Sequence, residues 1–516
     1  MFNLSTILEE SAKRYPDKDA YRIADTRLSF KQVNALANQV ANGLKSLGVQ
    51  RGDKVAMTCL NLPQFPILYH GILKAGAVVV PLNPLLKGAE IAFHLEDSDA
   101  KVYCCFQGTE QLPMGQWGYE GFQRVPGCKH FFVITADLAA ASPIADTQPF
   151  GALLAGQSPL LETAQTEADD VAVIIYTSGT TGRAKGAQLT HANLFFNAVV
   201  ISNDDLLGTT SNDIQIITLP LFHIFAMTVL MNAGLYRGTT SVLIPRFAPE
   251  EVLKAMQEHE VTIFAGVPTM YWALIEAAKT GIDLPKITKN LRICVSGGAS
   301  LPVQVLENFE KIFQVQILEG YGMSEGSPVV TFNHVNRPRK AGSVGTPFWG
   351  VEVKLVDEQG HEVPVGEKGE LLYRGHNVMK GYYKRPEDNA QTLRNGWLHS
   401  GDVAIKDADG FFFIVDRIKD LIIRGGENVY PREVEEVMIQ HPAVSLVAVI
   451  GARDEKLGEE VKACVVLKDG HYATPEELRD WTKERVARHK YPRIVEILPA
   501  LPMNATGKIL KKELRS

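Results

Sequence analysis

The sequence predicts an α/β protein in which parallel sheets are followed by an antiparallel or barrel-like unit and then by a compact α+β module. Short apolar strands alternate with amphipathic helices up to about Gly345, which is typical of parallel sheets covered by helices on both faces. The chain then changes to short strands and turns, and after Asp416 it changes again to mixed helices and strands. With 516 residues it is long enough for two to four structural units.

An amphipathic helix is predicted to begin after Ser29. Ser29 and Gln32 form a capping-box pair, apolar residues then recur at helical spacing, and Gly48 ends the helix. A short β-prone strand starts at Lys54. The same alternation predicts further strands at 171–175, 261–267 and 291–297, a helix capped by Ser300 with Pro302 in its first turn, and the strand VQILEG.

The two later units have different patterns. VEVKLVDEQGHEV, GELLYRG and GFFFIVDR are short strands separated by turns, which favours an antiparallel or barrel-like unit. In the last hundred or so residues, REVEEVMIQHP and TPEELRDWTKERVARH have helical patterns, and AVSLVAVIG and VKACVVLK have strand patterns. This part is therefore expected to form a separate α+β module.

Composition and charge exclude several classes of protein. There are 53 basic and 59 acidic side chains, giving a net charge of −6, so a nucleic-acid partner is not expected. The six cysteines are scattered without a CxxC pair, which indicates reduced thiols and a cytoplasmic location. The amino terminus lacks the pattern of a secretory signal, and no apolar run approaches the roughly 20 residues needed to span a bilayer.

The strongest local motif is YTSGTTGRAKGAQLTH, residues 176 to 191, directly after an apolar strand. Its glycines and hydroxyl residues offer backbone amides and hydroxyls, and Lys185 adds a cation, so the segment is suited to binding polyphosphate oxygens. It is not a Walker A motif, because the residues flanking Lys185 do not match that motif. A flexible surface turn is the alternative interpretation.

The segment GYGMSEG, residues 320 to 326, resembles a dinucleotide fingerprint but has Glu325 where the third glycine is required. A hydride-transferring enzyme is therefore disfavoured. Tyr321 offers an aromatic face to a base, and Glu325 offers a hard oxygen ligand for Mg²⁺ held with phosphates. The alternative for Glu325 is a charge that only stabilises a helix N-terminus.

Two further segments carry charged residues at turns. Asp402 follows Gly401 in HSGD, and a carboxylate after a glycine turn often binds sugar hydroxyls. Arg417 lies where the sequence pattern changes, which predicts a hinge there. Near the carboxyl terminus, NATGKIL presents Lys508 from a tight polar turn. Taken alone, each of these charges could be a solvated loop residue.

Together, YTSGTTGRAKGAQLTH, GYGMSEGSP, HSGD, VDRIKDLIIRGGENVYP and NATGKILKKEL occur in the order and approximate spacing of the adenylate-forming superfamily. The chain most closely resembles its acyl-CoA synthetases, the fatty acid–CoA ligases, and it does so over nearly its whole length. The resemblance implies a large N-terminal region, 1–416, of two doubly wound sheets plus a barrel-like subdomain, and a small mobile α+β C-terminal domain, 417–516. The active site would lie between them.

The resemblance also implies where ATP and Mg²⁺ bind. The β- and γ-phosphates would be held by Thr177, Ser178, Gly179, Thr180, Thr181, Gly182 and Lys185. Adenine would be framed by Ser296, Gly297, Gly298, Ala299 and Tyr321, and Gly320 and Gly322 on either side of Tyr321 are also expected to bind the cofactor. Ser324 and Glu325 would contact the α-phosphate and Mg²⁺, and Asp402 and Arg417 would contact the ribose. Ser324, and Ser400 before Asp402, stand where the family usually has threonine, but both keep the hydroxyl.

Lys508 resembles the family's adenylation lysine, which stabilises charge as the substrate carboxylate attacks the α-phosphorus. The resemblance implies that the C-terminal domain then rotates about Lys419, withdrawing Lys508. The rotation would present the segment 424–427, whose Gly425 and Gly426 would line a tunnel for the pantetheine arm of coenzyme A.

The acyl pocket is expected at PLFHIF and VTIFAGVPTMYW, with walls from Phe222, His223, Gly266, Val267, Pro268 and Met270. His223 has two interpretations, a gating role or a packed histidine with a structural hydrogen bond. No arginine cluster appears in these segments, which disfavours a dicarboxylate, and a medium- or long-chain fatty acid fits best.

Other interpretations stay open at this point. They are an acyl-AMP ligase that serves a carrier protein, an aryl-acid (coumarate-like) CoA ligase, and a catalytically silent acyl- or nucleotide-binding protein. The last is disfavoured because a binding protein has no need for the adenylation lysine. The expected partners are the acid and coenzyme A, and the sequence is compatible with a homodimer and with peripheral contact with a membrane.

Overall fold

The structure is a computed structural model that describes residues 2–177, 183–279 and 281–515. Its strands are, in chain order, Asp19–Ile23 (β1), Thr26–Ser29 (β2), Lys54–Thr58 (β3), Val78–Pro81 (β4), Ala100–Phe106 (β5), His130–Ile134 (β6), Gln148–Pro149 (β7), Val171–Thr177 (β8), Lys185–Thr190 (β9), Ile214–Ile217 (β10), Thr240–Leu243 (β11), Ile263–Gly266 (β12), Ile293–Ser296 (β13), Ile317–Gly322 (β14), Val329–Phe332 (β15), Thr346–Pro347 (β16), Val351–Val356 (β17), Lys368–Gly375 (β18), Gly381–Tyr382 (β19), Leu393–Arg394 (β20), Trp397–Lys406 (β21), Phe412–Arg417 (β22), Ile422–Arg424 (β23), Glu427–Val429 (β24), Val444–Asp454 (β25), Gly458–Leu467 (β26) and Ile494–Ile497 (β27).

The α-helices are Thr6–Arg14 (α1), Phe30–Ser46 (α2), Gln64–Lys74 (α3), Gly88–Asp97 (α4), Met114–Gln123 (α5), Phe150–Leu154 (α6), His191–Ile201 (α7), Ala233–Arg237 (α8), Pro249–Glu258 (α9), Pro268–Ala277 (α10), Leu284–Asn290 (α11), Val303–Phe313 (α12), Pro386–Thr392 (α13), Pro431–Met438 (α14) and Pro475–Lys483 (α15). A π-helix spans Phe225–Asn232, and short 3₁₀ turns span Ser324–Gly326, Ile418–Asp420 and Lys511–Leu514. None of the helices in the described ranges is long and apolar enough to cross a membrane.

Two large sheets form the N-terminal region. The nine-stranded sheet has the order β16-β15-β14-β13-β12-β10-β11-β1-β2, and the eight-stranded sheet has the order β19-β9-β8-β4-β3-β5-β6-β7. Their central strands are parallel, and antiparallel strands occur only towards the edges. Helices connect the parallel strands, as the alternating sequence pattern predicts. The predicted α/β class is thus confirmed.

Two smaller sheets complete the fold. The strands β17-β18-β21-β20, with β22 beside β21, form an antiparallel sheet that corresponds to the predicted barrel-like unit. The strands β24-β23-β26-β25, with β27 beside β26, form the sheet of the C-terminal module. This module has two apolar clusters of its own, which the main cluster of the N-terminal region does not include.

The structure confirms the capping box predicted from the sequence and corrects the start of one predicted helix. Ser29 and Gln32 form both hydrogen bonds of a capping box at the start of α2. The helix expected to be capped by Ser300 begins later, at Val303, because Pro302 has extended backbone angles and stands at the N-cap position. All six cysteines are free and buried, in agreement with the prediction of reduced thiols.

Candidate active site

The glycine-rich loop connects two strands that pair with each other. β8 ends at Thr177 and β9 begins at Lys185, and these residues are partners in antiparallel register. The segment 178–182 between them lies outside the described residues, and with it the predictions for Ser178, Gly179, Thr180, Thr181 and Gly182. The loop therefore belongs to a β-hairpin at the carboxyl end of β8.

The Lys185 side chain is held at the base of this loop. Its ammonium group forms an ion pair with Asp388 of α13 and lies 5.5 Å from the centroid of the Tyr382 ring. A carboxylate and an aromatic face both stabilise a lysine cation. An incoming polyphosphate would meet Lys185 in this position and would compete with Asp388 for it.

Glu325 is buried at the same base, in the 3₁₀ turn that begins at the half-buried Ser324. Its Oε1 atom accepts a hydrogen bond from the Tyr382 hydroxyl at 2.8 Å, and the Thr177 hydroxyl lies 3.4 Å from the same atom. In the described part of the chain no cluster of three or more His, Cys, Asp or Glu side chains could hold a metal. A cation here would therefore need substrate oxygens as further ligands, which suits Mg²⁺.

The predicted adenine residues lie on two neighbouring strands. Ser296 at the end of β13 is paired with Glu319 of β14, so that the segment 297–299 emerges beside Tyr321. Gly298 and Ala299 are exposed, whereas Gly297 is buried against the Phe225 ring. The structure thus brings these residues to one edge of the nine-stranded sheet.

Close packing requires glycine at positions 320 and 322, which the sequence alone did not indicate. A Cβ atom on Gly320 would lie 2.4 Å from the Phe332 ring, and one on Gly322 would lie 2.1 Å from the Pro328 carbonyl oxygen. Both distances are too short for any side chain. These glycines are required by the close pairing of β14 with β15, whatever contact they make with a nucleotide.

The predicted ribose residues come from the antiparallel sheet. Asp402 of β21 and Arg417 of β22 are partners in register, and Arg417 Nε lies 3.2 Å from Asp402 Oδ1. The Tyr321 hydroxyl donates to Asp402 Oδ2 at 2.6 Å, and this hydrogen bond connects the Asp402–Arg417 pair to β14. Asp402 lies inside a continuous strand rather than after a turn, and the positive φ of Gly401 bends that strand locally.

The hydroxyl of Ser400 helps to position Asp402. It donates to the Leu371 carbonyl at 2.6 Å and accepts from the Asp402 amide at 3.1 Å. Serine and threonine both supply this hydroxyl, so the departure from the usual threonine leaves these contacts intact.

Lys508 reaches the site from the C-terminal module. The carboxamide oxygen of Asn504 accepts from the amides of Thr506 and Lys508, at 3.0 and 2.9 Å, and so closes the turn. The Gly507 carbonyl accepts a hydrogen bond of 3.1 Å from the Thr269 hydroxyl at the start of α10. Gly507 has φ +80° and lies against Val267, so a larger residue would be strained there.

The Lys508 ammonium group interacts with the charges of the site. Its pKa is lowered to about 8, first by burial and then by the positive charge of Arg417, while Asp402 acts in the opposite direction. The charge of Lys508 in turn lowers the pKa of His223, after the larger effect of burial. Lys508, Asp402, Arg417 and His223 therefore surround one region between the two parts of the chain.

The predicted acyl wall lies beside this region. Gly266 and Val267 are buried at the end of β12, and Pro268 begins α10. Phe222 is half-buried and packs on the main apolar core. His223 Nδ1 accepts the Phe225 amide at 3.3 Å, and burial lowers the pKa of His223 to about 4, so its ring is neutral at pH 7.

The residues expected to line the pantetheine tunnel do not lie at the candidate active site. Gly425 and Gly426 form the exposed turn between β23 and β24, and the Gly425 amide donates to the Leu457 carbonyl of the same module at 2.8 Å. Lys419 is exposed in the 3₁₀ turn between β22 and β23. The structure thus places Lys508 at the site and leaves the glycine pair outside it.

Sequence reasoning missed three residues of the site: Tyr382, Asp388 and Thr269. Tyr382 orients Glu325, Asp388 holds Lys185, and Thr269 fixes the turn of Lys508. The segment GYYKRPED carries a tyrosine pair and an acidic helix start that could have marked the first two. Thr269 has no distinguishing signal, because its role depends on a partner 238 residues away.

The structure brings together the carboxyl end of β8, the paired side chains of Asp402 and Arg417, and the Lys508 turn of the C-terminal module, an arrangement that agrees with the predicted class of adenylate-forming enzymes. Two family models match the chain, the AMP-binding enzyme model over residues 8–383 and the AMP-binding enzyme C-terminal domain model over residues 433–508. The chain belongs to the AMP-binding enzyme family.

Individual relatives cover nearly the whole chain. The long-chain-fatty-acid–CoA ligase of Bacillus subtilis is 35% identical over 99% of this chain and 94% of its own length. A feruloyl-CoA synthase of an Amycolatopsis species is 38% identical over 98% of this chain and 96% of its own. The crystal structure of an anthranilate CoA ligase with anthranoyl-AMP is 32% identical, with a TM-score of 0.91 over 100% of this chain and 96% of its own.

These findings establish the reaction class. The protein is an AMP-forming acid–thiol ligase, which uses ATP and coenzyme A to convert a carboxylic acid to its CoA thioester. The relatives include ligases of fatty acids and of aryl acids, so the comparisons do not determine which acid is the substrate.

Proposed function

We propose that the protein activates a medium- or long-chain fatty acid to acyl-AMP and then to acyl-CoA. The observation that carries this proposal is the position of the turn that presents Lys508. Its Gly507 lies against Val267 of the apolar wall, and the charges of Arg417 and Asp402 act on the Lys508 ammonium group. The π-helix Phe225–Asn232, which begins two residues after His223, is wholly buried and mostly apolar. An apolar chain would be stabilised there by burial, and a second charge would not.

The proposed roles of the residues follow their positions. Thr177 and Lys185, with the loop between them, bind the β- and γ-phosphates, and Tyr321, Asp402 and Arg417 orient the nucleoside. Mg²⁺, when bound by Glu325 and the phosphates, neutralises their charge. The substrate carboxylate attacks the α-phosphorus, pyrophosphate leaves, and the Lys508 ammonium stabilises the negative charge that builds up during this displacement.

The second half-reaction is proposed to use a different arrangement. The thiol of coenzyme A attacks the acyl-adenylate carbonyl and AMP leaves, a step for which Lys508 is not needed. We place the boundary of the moving domain at 416/417 and its hinge at Lys419. Rotation there would withdraw Lys508 and bring the exposed turn of Gly425 and Gly426 to the site.

An aryl acid is the second candidate, favoured by a specific observation. The Thr228 hydroxyl and the Asn232 carboxamide oxygen are buried in the π-helix, and neither has a hydrogen-bond partner in the described part of the chain. Buried polar atoms are normally paired, and a hydroxyl or methoxy group on an aromatic acid would supply a partner. The 38% identity to a feruloyl-CoA synthase agrees with this alternative.

A panel of acids distinguishes the candidates. Coenzyme A-dependent AMP formation from ATP and Mg²⁺ is measured with acetate, octanoate, palmitate, oleate, benzoate, coumarate and ferulate. We expect kcat/KM to be highest for octanoate, palmitate or oleate, and to be unchanged by Thr228→Val. Preference for coumarate or ferulate, reduced about tenfold in Thr228→Val because a hydrogen bond is lost, would establish the aryl-acid alternative. Acyl-AMP release without dependence on coenzyme A would contradict both.

The lowered pKa of Lys508 predicts a pH dependence. The ammonium form stabilises the transition state, so kcat/KM for ATP in the adenylation half-reaction should fall as the pH rises through about 8. An unperturbed lysine, with a pKa of about 10.4, would keep its charge over this range. The rate is measured from pH 6.5 to 9.5 by ATP–pyrophosphate exchange.

The control for this prediction is Lys508→Arg, whose guanidinium stays charged throughout. Its rate should be lower, but it should lack the fall above pH 8. A fall of equal size in Lys508→Arg would assign the titration to another group.

A further inference from the structure

A second cavity lies at the opposite end of the eight-stranded sheet from the glycine-rich loop. It has a volume of about 390 Å³ and is bordered by the amino-terminal ends of β4 and β8 at Val78 and Val171. The lining residue of β8 that lies nearest to the loop is Ile174, and β8 continues from there to Thr177, which corresponds to about 10 Å at ~3.3 Å per residue. The cavity is therefore separate from the candidate active site.

Three cationic side chains line this cavity. Arg51 is paired with Asp170, with Nε 3.0 Å from Oδ2. Lys54 lies 5.0 Å from the centroid of the Tyr383 ring, and in the described ranges it has no carboxylate at ion-pair distance. Asp99 also interacts with Lys54 but does not line the cavity. Three cations and one carboxylate, Asp170, thus line the cavity, an excess of positive charge that favours an anion.

The third cation, Lys380, is also incompletely neutralised. Its ammonium group donates to the Asp169 backbone carbonyl at 3.1 Å and stays 4.0 Å from the Asp169 carboxylate. That carboxylate is 85% exposed, so solvent screens the attraction. Lys380 can therefore turn to an anion in the cavity at little cost.

A buried donor completes the lining. His191 is 1% exposed and begins the 11-residue helix α7, and its Nδ1 atom accepts the Leu4 amide at 3.1 Å. Burial lowers the pKa of His191 to about 4, so the neutral ring carries its proton on Nε2. Nε2 has no hydrogen-bond partner among the residues that the structure describes. A neutral N–H at a helix N-terminus is a favourable donor to an anion.

We propose that this cavity is a binding site for a phosphate monoester of a small metabolite. The dianionic phosphate would be bound by Lys54, Lys380 and the Nε2–H of His191. A cavity of about 390 Å³ lies within the range of about 300–1,000 Å³ for small-molecule sites and exceeds what a bare phosphate ion fills. The remaining volume, beside Val78 and Val171, accommodates the organic part of the ligand.

Isothermal titration of the full-length protein tests the proposal, with ribose 5-phosphate and inorganic phosphate as probes at constant ionic strength. We expect ribose 5-phosphate to bind at one site and more tightly than phosphate. Lys54→Met and Lys380→Met should each weaken its binding about tenfold. His191→Asn, which keeps an acceptor for the Leu4 amide but removes the Nε2 donor, should also weaken it.

Matched controls separate this site from other sources of anion binding. Lys13→Met and Lys279→Met remove one exposed cation each, and Lys185→Met removes the cation of the glycine-rich loop. Binding should be unchanged in all three, and thermal melting of every variant checks that it is folded. The proposal is overturned if neither probe binds, if phosphate binds as tightly as ribose 5-phosphate, or if Lys185→Met weakens binding while Lys54→Met does not.

Discussion

Replacing Lys508 by alanine should abolish acyl-adenylate formation while leaving thioester formation from supplied acyl-adenylate nearly unchanged. Lys508 is the cation that the C-terminal module delivers to the region of Asp402, Arg417 and His223. Loss of one preorganised charge-stabilising donor typically costs about 10²- to 10³-fold in rate. We expect a loss of at least that size in the first half-reaction only, because the proposed rotation withdraws Lys508 before the second.

The two half-reactions are measured separately. ATP–pyrophosphate exchange with the preferred acid reports adenylation, and coenzyme A-dependent consumption of purified acyl-AMP reports thioester formation. Lys512→Ala is the matched control, because Lys512 is exposed in the same C-terminal segment and should leave both rates intact. Equal losses in both half-reactions for Lys508→Ala would contradict the assigned role and would indicate a structural one.

Much of the fold could be predicted because its signals are local. The capping box at Ser29 and Gln32 depends on four consecutive residues, and it forms as expected. The pairing of Thr177 with Lys185 could not be predicted, because a glycine-rich loop after a strand can precede either a helix or an antiparallel partner. Strand order is likewise set by contacts between distant segments, which no local pattern encodes.

The candidate site was predictable as a set of motifs but not as a network. Glu325 and Lys185 stand out because a charge beside glycines is conspicuous in sequence. Their partners Tyr382 and Asp388 do not, since the hydroxyl on Glu325 and the carboxylate on Lys185 come from a segment 57 and 203 residues away. Only the folded sheet brings that segment to the loop.

The second large effect concerns the hinge, where Lys419→Pro should block coenzyme A transfer and spare adenylation. Lys419 is exposed in the turn that joins β22 to β23, and the present arrangement already places Lys508 at the site. Proline fixes φ near −65° and restricts the preceding residue, so it opposes a rotation of the backbone at this position. We expect adenylation within a few-fold of the unchanged protein and thioester formation lowered about 100-fold.

Lys419→Ala separates the backbone from the side chain in this experiment. It removes the same ammonium group but leaves the torsion angles free, so both half-reactions should proceed at nearly normal rates. The hinge assignment would be contradicted if Lys419→Pro melts at the same temperature as the unchanged protein and still transfers the acyl group at the normal rate. Any rotation that the reaction needs would then occur elsewhere in the chain. An equal defect in Lys419→Ala and Lys419→Pro would instead assign the effect to the lost charge beside Arg417 and Asp420.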